Sequence, residues 1–144
     1  MDNPTFLYNL RKIKIPISTM KASATGNDPY MINYSALDID AIEYDKIKIK
    51  MRVNSGQEAS VYFTTVSDRD WVENKVKHFP ITSDNEFHTY ILDMKTIKKW
   101  SDKIYQIRFD PANSQASNIE IEYIHIIPKG KPPILLALPD LCFI

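Results

Sequence analysis

The sequence predicts an all-β chain, an antiparallel β-sandwich of jelly-roll type with at most one short helical turn, and three observations predict it. From residue 46 onward apolar and polar side chains alternate with a period of two, the repeat of a strand with one buried face. The alternating stretches are short and are separated by turn residues at spacings of about ten to fifteen residues. Between them lies no segment of helix length, so the long crossovers that parallel strands require are missing.

Taken in order, the N-terminal third is the least regular. "IKIPIS" at 13–18 and "YMINYS" at 30–35 read as strands on either side of the turn signal "TGNDP". In "KIKIKMRV", 46–53, Ile47, Ile49, Met51 and Val53 point one way and Lys46, Lys48, Lys50 and Arg52 the other. Ser55-Gly56 marks a turn, after which "ASVYFTTVS" sets Val61 and Phe63 against Tyr62 and Thr64; these two strands read as a hairpin. In "KVKHFPI", 75–81, Pro80 cannot donate to a ladder, which predicts an edge position or a strand end. "FHTYILDM", 87–94, is apolar on both faces and predicts a more central strand. Ile97 and Trp100, three apart, predict one helical turn that lays its apolar side on the sandwich, with Trp100 packing.

"KIYQIRFD" and "NIEIEYIHII" supply the last two strands. Alternation in the first assigns Tyr105, Ile107 and Phe109 to the core and Gln106, Arg108 and Asp110 to the other face, until Pro111 ends the ladder. Residues 1–127 therefore form the sandwich domain. Residues 128–144 combine a linker-like "PKGKPP" with an apolar "ILLALPDLCFI", which is either a tail folded back on the domain or the start of something further.

Composition narrows the function classes. Lys plus Arg and Asp plus Glu both number 18, so no net field points to nucleic acid or to an anionic membrane. The longest apolar stretch is broken by Pro139 and Asp140 and is far shorter than the roughly 20 residues that span a bilayer, so no membrane insertion is expected. The N-terminus lacks the basic-then-apolar order of a signal peptide. A lone cysteine, Cys142, forbids an internal disulfide and leaves the redox compartment open.

The chemistry-bearing signals are few. Three histidines, His78, His88 and His125, are too dispersed for zinc spacing, and three glycines in the whole chain leave no phosphate-cradling loop. Glu120 and Glu122 fall on one strand face, whereas a glycosidase wants its carboxylates on opposite sides of the substrate. Trp71, in the polar stretch "SDRDWVENK", either plugs the loop from beneath or is offered to a ligand. Arg108 belongs to the same kind of polar face as Lys48, Lys50, Arg52 and Tyr62. Were those strands side by side, they would form a cationic surface with exposed rings, suited to hydroxyl-rich or uronate-bearing sugars, because a guanidinium donates paired hydrogen bonds and a ring stacks on sugar C–H groups. The alternative is an ordinary solvated face crossed by ion pairs such as Arg108 with Asp110 or Glu122.

Several segments together resemble a known family: "ATGNDPYM", "DAIEYDKIKIKMRV", "VYFTT", "HTYILDM", "KKW" and "IRFDPANSQASNIEIEYIHI". Over residues 12–127 the chain resembles the galactose-binding-like jelly-roll domains attached to bacterial polysaccharide-active enzymes, among them carbohydrate-binding modules of glycoside hydrolases. The marks are an arginine-bearing strand ending in Asp-Pro and a closing strand, here "IEYI". The resemblance implies a non-catalytic module that binds a polysaccharide or oligosaccharide through a sheet face or adjoining loops, with Arg52, Tyr62, Trp71 and Arg108 as the ligand-binding residues. It implies a larger polysaccharide-active protein around the domain. Similar domains also accompany glycosyltransferases of surface-polysaccharide synthesis, so an accessory structural domain without a ligand of its own is the alternative. A glycosidase partner implies an extracellular location, a glycosyltransferase a cytoplasmic one. Two departures stand out: "NSQASNIEIE" lacks the glycine expected before the closing strand, and Glu122 replaces the frequent aspartate. No cofactor is expected; the alternative is a structural calcium of the kind related sandwiches carry, with Asp28 and Glu122 as contributors, since a hard cation wants several oxygens.

Overall fold

A computed structural model describes residues 20–23, 30–33, 36–113, 118–130, 132–135 and 141–143. In chain order its strands are β1 (Met20–Ser23), β2 (Met31–Asn33), β3 (Ile39–Asp40), β4 (Tyr44–Val53), β5 (Glu58–Thr65), β6 (Val76–Pro80), β7 (His88–Asp93), β8 (Lys103–Asp110), β9 (Asn118–Pro128), β10 (Ile134–Leu135) and β11 (Leu141–Phe143). They form two sheets with antiparallel pairing throughout. Sheet A runs β1-β9-β4-β7, with β10 also on β9; sheet B runs β11-β2-β8-β5-β6, with β3 also on β8. The fold is an antiparallel β-sandwich. Among the described residues no helix is long and apolar enough to cross a membrane.

The core lies between the sheets and follows the alternation. β4 buries every second residue, Ile47, Ile49, Met51 and Val53, against Ile119, Ile121, Ile124 and Ile126 of β9 in the same sheet and Val61, Phe63, Ile107 and Phe109 of the facing one. Each of these side chains leaves water almost completely, at about 1.5–3 kcal/mol apiece. Asp93 caps a 3₁₀ turn, Met94–Thr96, by accepting from the Lys95 amide, and the chain then drops Trp100 into the core. Its ring meets Phe63 edge-on at 4.9 Å, and its Nε1–H donates to the carbonyls of Ala41 (3.1 Å) and Tyr44 (2.9 Å).

Three strand-level expectations are corrected. β4 and β5 are not a hairpin: β4 pairs with β7 and β9 in one sheet, β5 with β6 and β8 in the other. Residues 54–57 cross between the sheets, and Gly56 makes the crossing at φ 104°, where a Cβ would come within 3.1 Å of the Ala112 Cβ. The Asn113 side-chain oxygen holds the far side of the crossing, accepting from the amides of Gln57 and Glu58. β7 is an edge strand of sheet A rather than a central one. Its outward Ile91 stays 62% exposed, and the apolar Phe87 before it lies beneath Lys50 and Arg52 on the outer surface, so apolar residues on both faces did not signify two buried faces. Finally, Tyr105 is not in the core. The β5–β8 register jumps from Thr64↔Gln106 to Thr65↔Ile104, a bulge that leaves Tyr105 unmatched and hands the core place to Ile104.

Other expectations hold. β6 ends at Pro80 on the edge of sheet B, and Trp100 packs. The strand expected at 13–18 and the turn at 25–29 lie outside the described residues. From the C-terminal segment, β10 runs antiparallel to β9 and β11 antiparallel to β2.

Candidate ligand-binding face

The outer face of sheet B is assembled by the β5–β8 register, which sets Ser60 opposite Asp110, Tyr62 opposite Arg108 and Thr64 opposite Gln106. Because Val61, Phe63, Ile107 and Phe109 point inward, these six point out. Tyr30 stands just before β2, next to the Arg108 row. The Arg108 guanidinium carbon lies 3.8 Å from the Tyr30 ring centroid and 4.8 Å from that of Tyr62. Its Nε and Nη2 donate to the two carboxylate oxygens of Asp110, each at 2.8 Å, in a fork that fixes the guanidinium plane. Stacking and fork together leave the Arg108 side chain only 18% exposed.

A second group reaches this face from residues 66–75, the link between β5 and β6. Glu73 accepts a 2.6 Å hydrogen bond from the Tyr62 hydroxyl and stands 3.3 Å from His78 Nε2. The other ring nitrogen of His78 shares a 2.6 Å hydrogen bond with the Ser60 hydroxyl and lies 3.5 Å from Glu58. Burial, then the hydrogen bond to Glu73, pushes the Tyr62 hydroxyl up to about 12. The same bond, seen from the other side, holds Glu73 below the usual carboxylate range.

The link is itself pinned. Lys75 is buried, and its ammonium donates to the Asp68 carbonyl at 2.9 Å and pairs with the Asp68 carboxylate at 3.0 Å. The Asp68 amide closes a turn on the Thr65 hydroxyl, and Lys75 chiefly holds the Asp68 carboxyl below its ordinary range. Trp71 lies in this link and is half-buried. Arg69 stacks over the displaced Tyr105 at 3.9 Å.

The outer face of sheet A has a different character. Its cations meet carboxylates: Lys46 with Asp93 at 4.0 Å, Lys50 with Glu122 at 3.3 Å, and Arg52 with Glu120 at 2.7 Å. This is an ordinary ion-paired surface of the kind the sequence offered as the alternative; of the pairs named for that alternative, Arg108 with Asp110 forms on sheet B, while Glu122 pairs with Lys50 here. Arg52 and Arg108 therefore lie on opposite sides of the sandwich, so the single surface joining Lys48, Lys50, Arg52, Tyr62 and Arg108 does not form. A period of two says that residues share a face of their own strand, but not which sheet the strand joins.

Of the four sequence-derived ligand residues, the structure brings Tyr62 and Arg108 together and carries Trp71 on the link that supplies Glu73; Arg52 is apart. Asp28 lies outside the described residues, and Glu122 pairs with Lys50 on sheet A. Among the described residues no three metal-ligating side chains converge. Sequence reasoning missed Tyr30, His78 and Glu73. Strand parity could have found Tyr30 and His78, which alternate with the buried Met31 and Phe79. Nothing local marks Glu73, whose place depends on the Lys75–Asp68 anchor.

No family model matches the sequence, and no curated protein matches it. Among solved structures the chain is similar to the glycoside hydrolase domain of Endo-D from Streptococcus pneumoniae R6, at 13% identity and a TM-score of 0.46, covering 74% of this chain and 17% of that one. It is similar to the carbohydrate-binding module CBM4, at 12% identity and a TM-score of 0.41, over 77% of this chain and 59% of that one. The apo form of CBM1 of BiXyn10A is a third, at 12% identity and 0.41, over 74% and 70%. The chain thus spans less than two thirds of the length of the first two. What each of these proteins binds or cleaves is a property of that protein.

Proposed function

We propose that this chain is a non-catalytic carbohydrate-binding module that receives a glycan on the outer face of sheet B, between the Tyr30–Arg108–Tyr62 stack and the link bearing Trp71 and Glu73. One observation carries the reading: donors and acceptors on this face are fixed before any ligand arrives. The guanidinium is clamped between two rings and an aspartate fork, and the Tyr62 hydroxyl is tied to Glu73. Sugar hydroxyls are both donors and acceptors, so they suit a surface that alternates guanidinium and carboxylate edges, and a partly exposed indole such as Trp71 suits the apolar face of a pyranose. Pre-ordering these groups lowers the entropy that binding costs. The same ties argue for recognition over hydrolysis: Asp110 is forked to Arg108, while Glu73 is lowered, the reverse of the raised carboxyl a general acid needs.

A glycan array followed by titration calorimetry tests it. Wild type should bind at least one polysaccharide class, and Trp71→Ala should weaken that binding by about five- to tenfold or more while the melting temperature stays close to wild type. Silence across a broad panel would remove the reading and favour an accessory domain with no ligand of its own.

A further inference from the structure

We infer that this face selects neutral glycans and discriminates against uronate-bearing ones, with Glu73 as the specificity-determining residue; the inference rests on the sugar-binding reading above. From composition alone, an arginine on a sheet face suits an acidic sugar as well as a neutral one. The geometry removes that ambiguity. Two donors of Arg108 are already on the Asp110 carboxylate at 2.8 Å, so its positive charge is met within the protein. Glu73 and Glu58 remain at the rim, their side chains 73% and 51% exposed; among the described residues His78 faces both and Tyr62 faces Glu73. Among the described residues the cations acting on Glu73 are His78 and Arg108. Among these described groups, counting Arg108 against Asp110, Glu73 and Glu58, carboxylates are in excess by two when His78 is neutral and by one when it is protonated. A uronate carboxylate seated here meets like charge.

Glu73 is placed to act on the ligand rather than only on the fold. Its Oε2 accepts from Tyr62 and its Oε1 faces His78, and with its side chain largely in solvent both oxygens keep lone pairs that sugar hydroxyls can use. A like-charge contact at such a half-exposed site corresponds to a penalty of about five- to tenfold in affinity, shrinking with salt.

The test starts from an array holding neutral and uronate-bearing glycans. The best neutral binder is then oxidised at its primary hydroxyls to the matching uronate, and both forms are titrated against wild type and Glu73→Gln at low and high salt. Glu73→Gln keeps an acceptor for Tyr62 and removes the charge. The expected result is that oxidation weakens wild-type binding by about fivefold or more at low salt, that high salt narrows the gap, and that Glu73→Gln narrows the ratio of the two affinities, the ratio being the readout whatever the variant does to the neutral ligand itself. Equal or tighter binding of the oxidised form, a gap that Glu73→Gln leaves untouched, or an array that lights up only with acidic glycans overturns the inference while leaving sugar binding intact. An array that stays dark overturns the sugar-binding reading itself, and this inference with it.

Discussion

At the scale of single residues, Tyr62 carries the most information. Its hydroxyl is partly buried and donates to a carboxylate, and both effects favour the neutral phenol, raising its ionisation from the ordinary value of about 10 to about 12. Because the folded value lies above the unfolded one, the associated stability is complete below about pH 10 and is lost as pH rises toward about 12. In an alkaline absorbance titration of the eight tyrosines, one should therefore ionise late, and Tyr62→Phe should abolish that late step. Tyrosines that all titrate together near their ordinary value would show that the Tyr62–Glu73 bond does not persist in solution. Arg108 makes the complementary point. Its strand and its outward direction were legible from alternation, and so was its pairing with Asp110 two residues on. The stack with Tyr30 was not, because that residue is far away in sequence and meets Arg108 only through the β2–β8 register.

At the scale of elements, the sequence encodes which side of a strand is buried far more clearly than where the strand goes. β4 was readable residue by residue because its inward positions from 47 onward are all isoleucine, methionine or valine, whereas β9 was legible as a strand although its buried parity shifts between Ile121 and Ile124, where the β4–β9 register is irregular. Their neighbours were not, since any strand with one apolar face can pair beside another or face it across the core. The β5–β8 bulge was illegible for a related reason: Ile104 and Tyr105 are both apolar enough to fill an inward place, and only pairing with Thr65 selects Ile104. Trp100 shows an element held by a polar contact inside an apolar site. Its indole N–H serves two backbone carbonyls, those of Ala41 and Tyr44, and so ties the segment after the 3₁₀ turn to the start of β4. Trp100→Phe keeps an aromatic against Phe63 but leaves both carbonyls without that donor. The hydrogen-bond loss should lower unfolding stability by about 1–3 kcal/mol, with the smaller ring adding to it, read as a drop in urea midpoint at unchanged slope. Wild-type stability in that variant would mean that packing alone seats the ring.

At the scale of the whole molecule, each outer face carries a group whose ionisation is shifted by its surroundings. Sheet B contributes the alkaline limit through Tyr62, and sheet A contributes on the acid side through His125. His125 stacks on Tyr123 at 4.1 Å beside Lys48, whose ammonium stands 5.9 Å from the Tyr123 ring. Burial first, and the Lys48 charge second, hold the His125 imidazole below its ordinary value of about 6.5. A depressed value means the unfolded chain takes up this proton before the folded one, so the stability it supports is present above about pH 6.5 and declines as pH falls through the folded value. Further acid brings in a second loss, from Glu73, Asp68 and Asp84, whose carboxyls are all held below their usual range by hydrogen-bonded partners; this loss begins only below about pH 4.5. Urea unfolding from pH 8 down to pH 3 should therefore show a first decline that begins near pH 6.5 and a second contribution that begins below about pH 4.5. His125→Gln should flatten the first and leave the second, and Lys48→Met should raise the His125 midpoint seen by NMR titration of the three imidazoles. A single decline confined to the carboxylate range in wild type would mean that the Tyr123–His125 stack opens to water, and that the ion-paired face of sheet A does not restrain it.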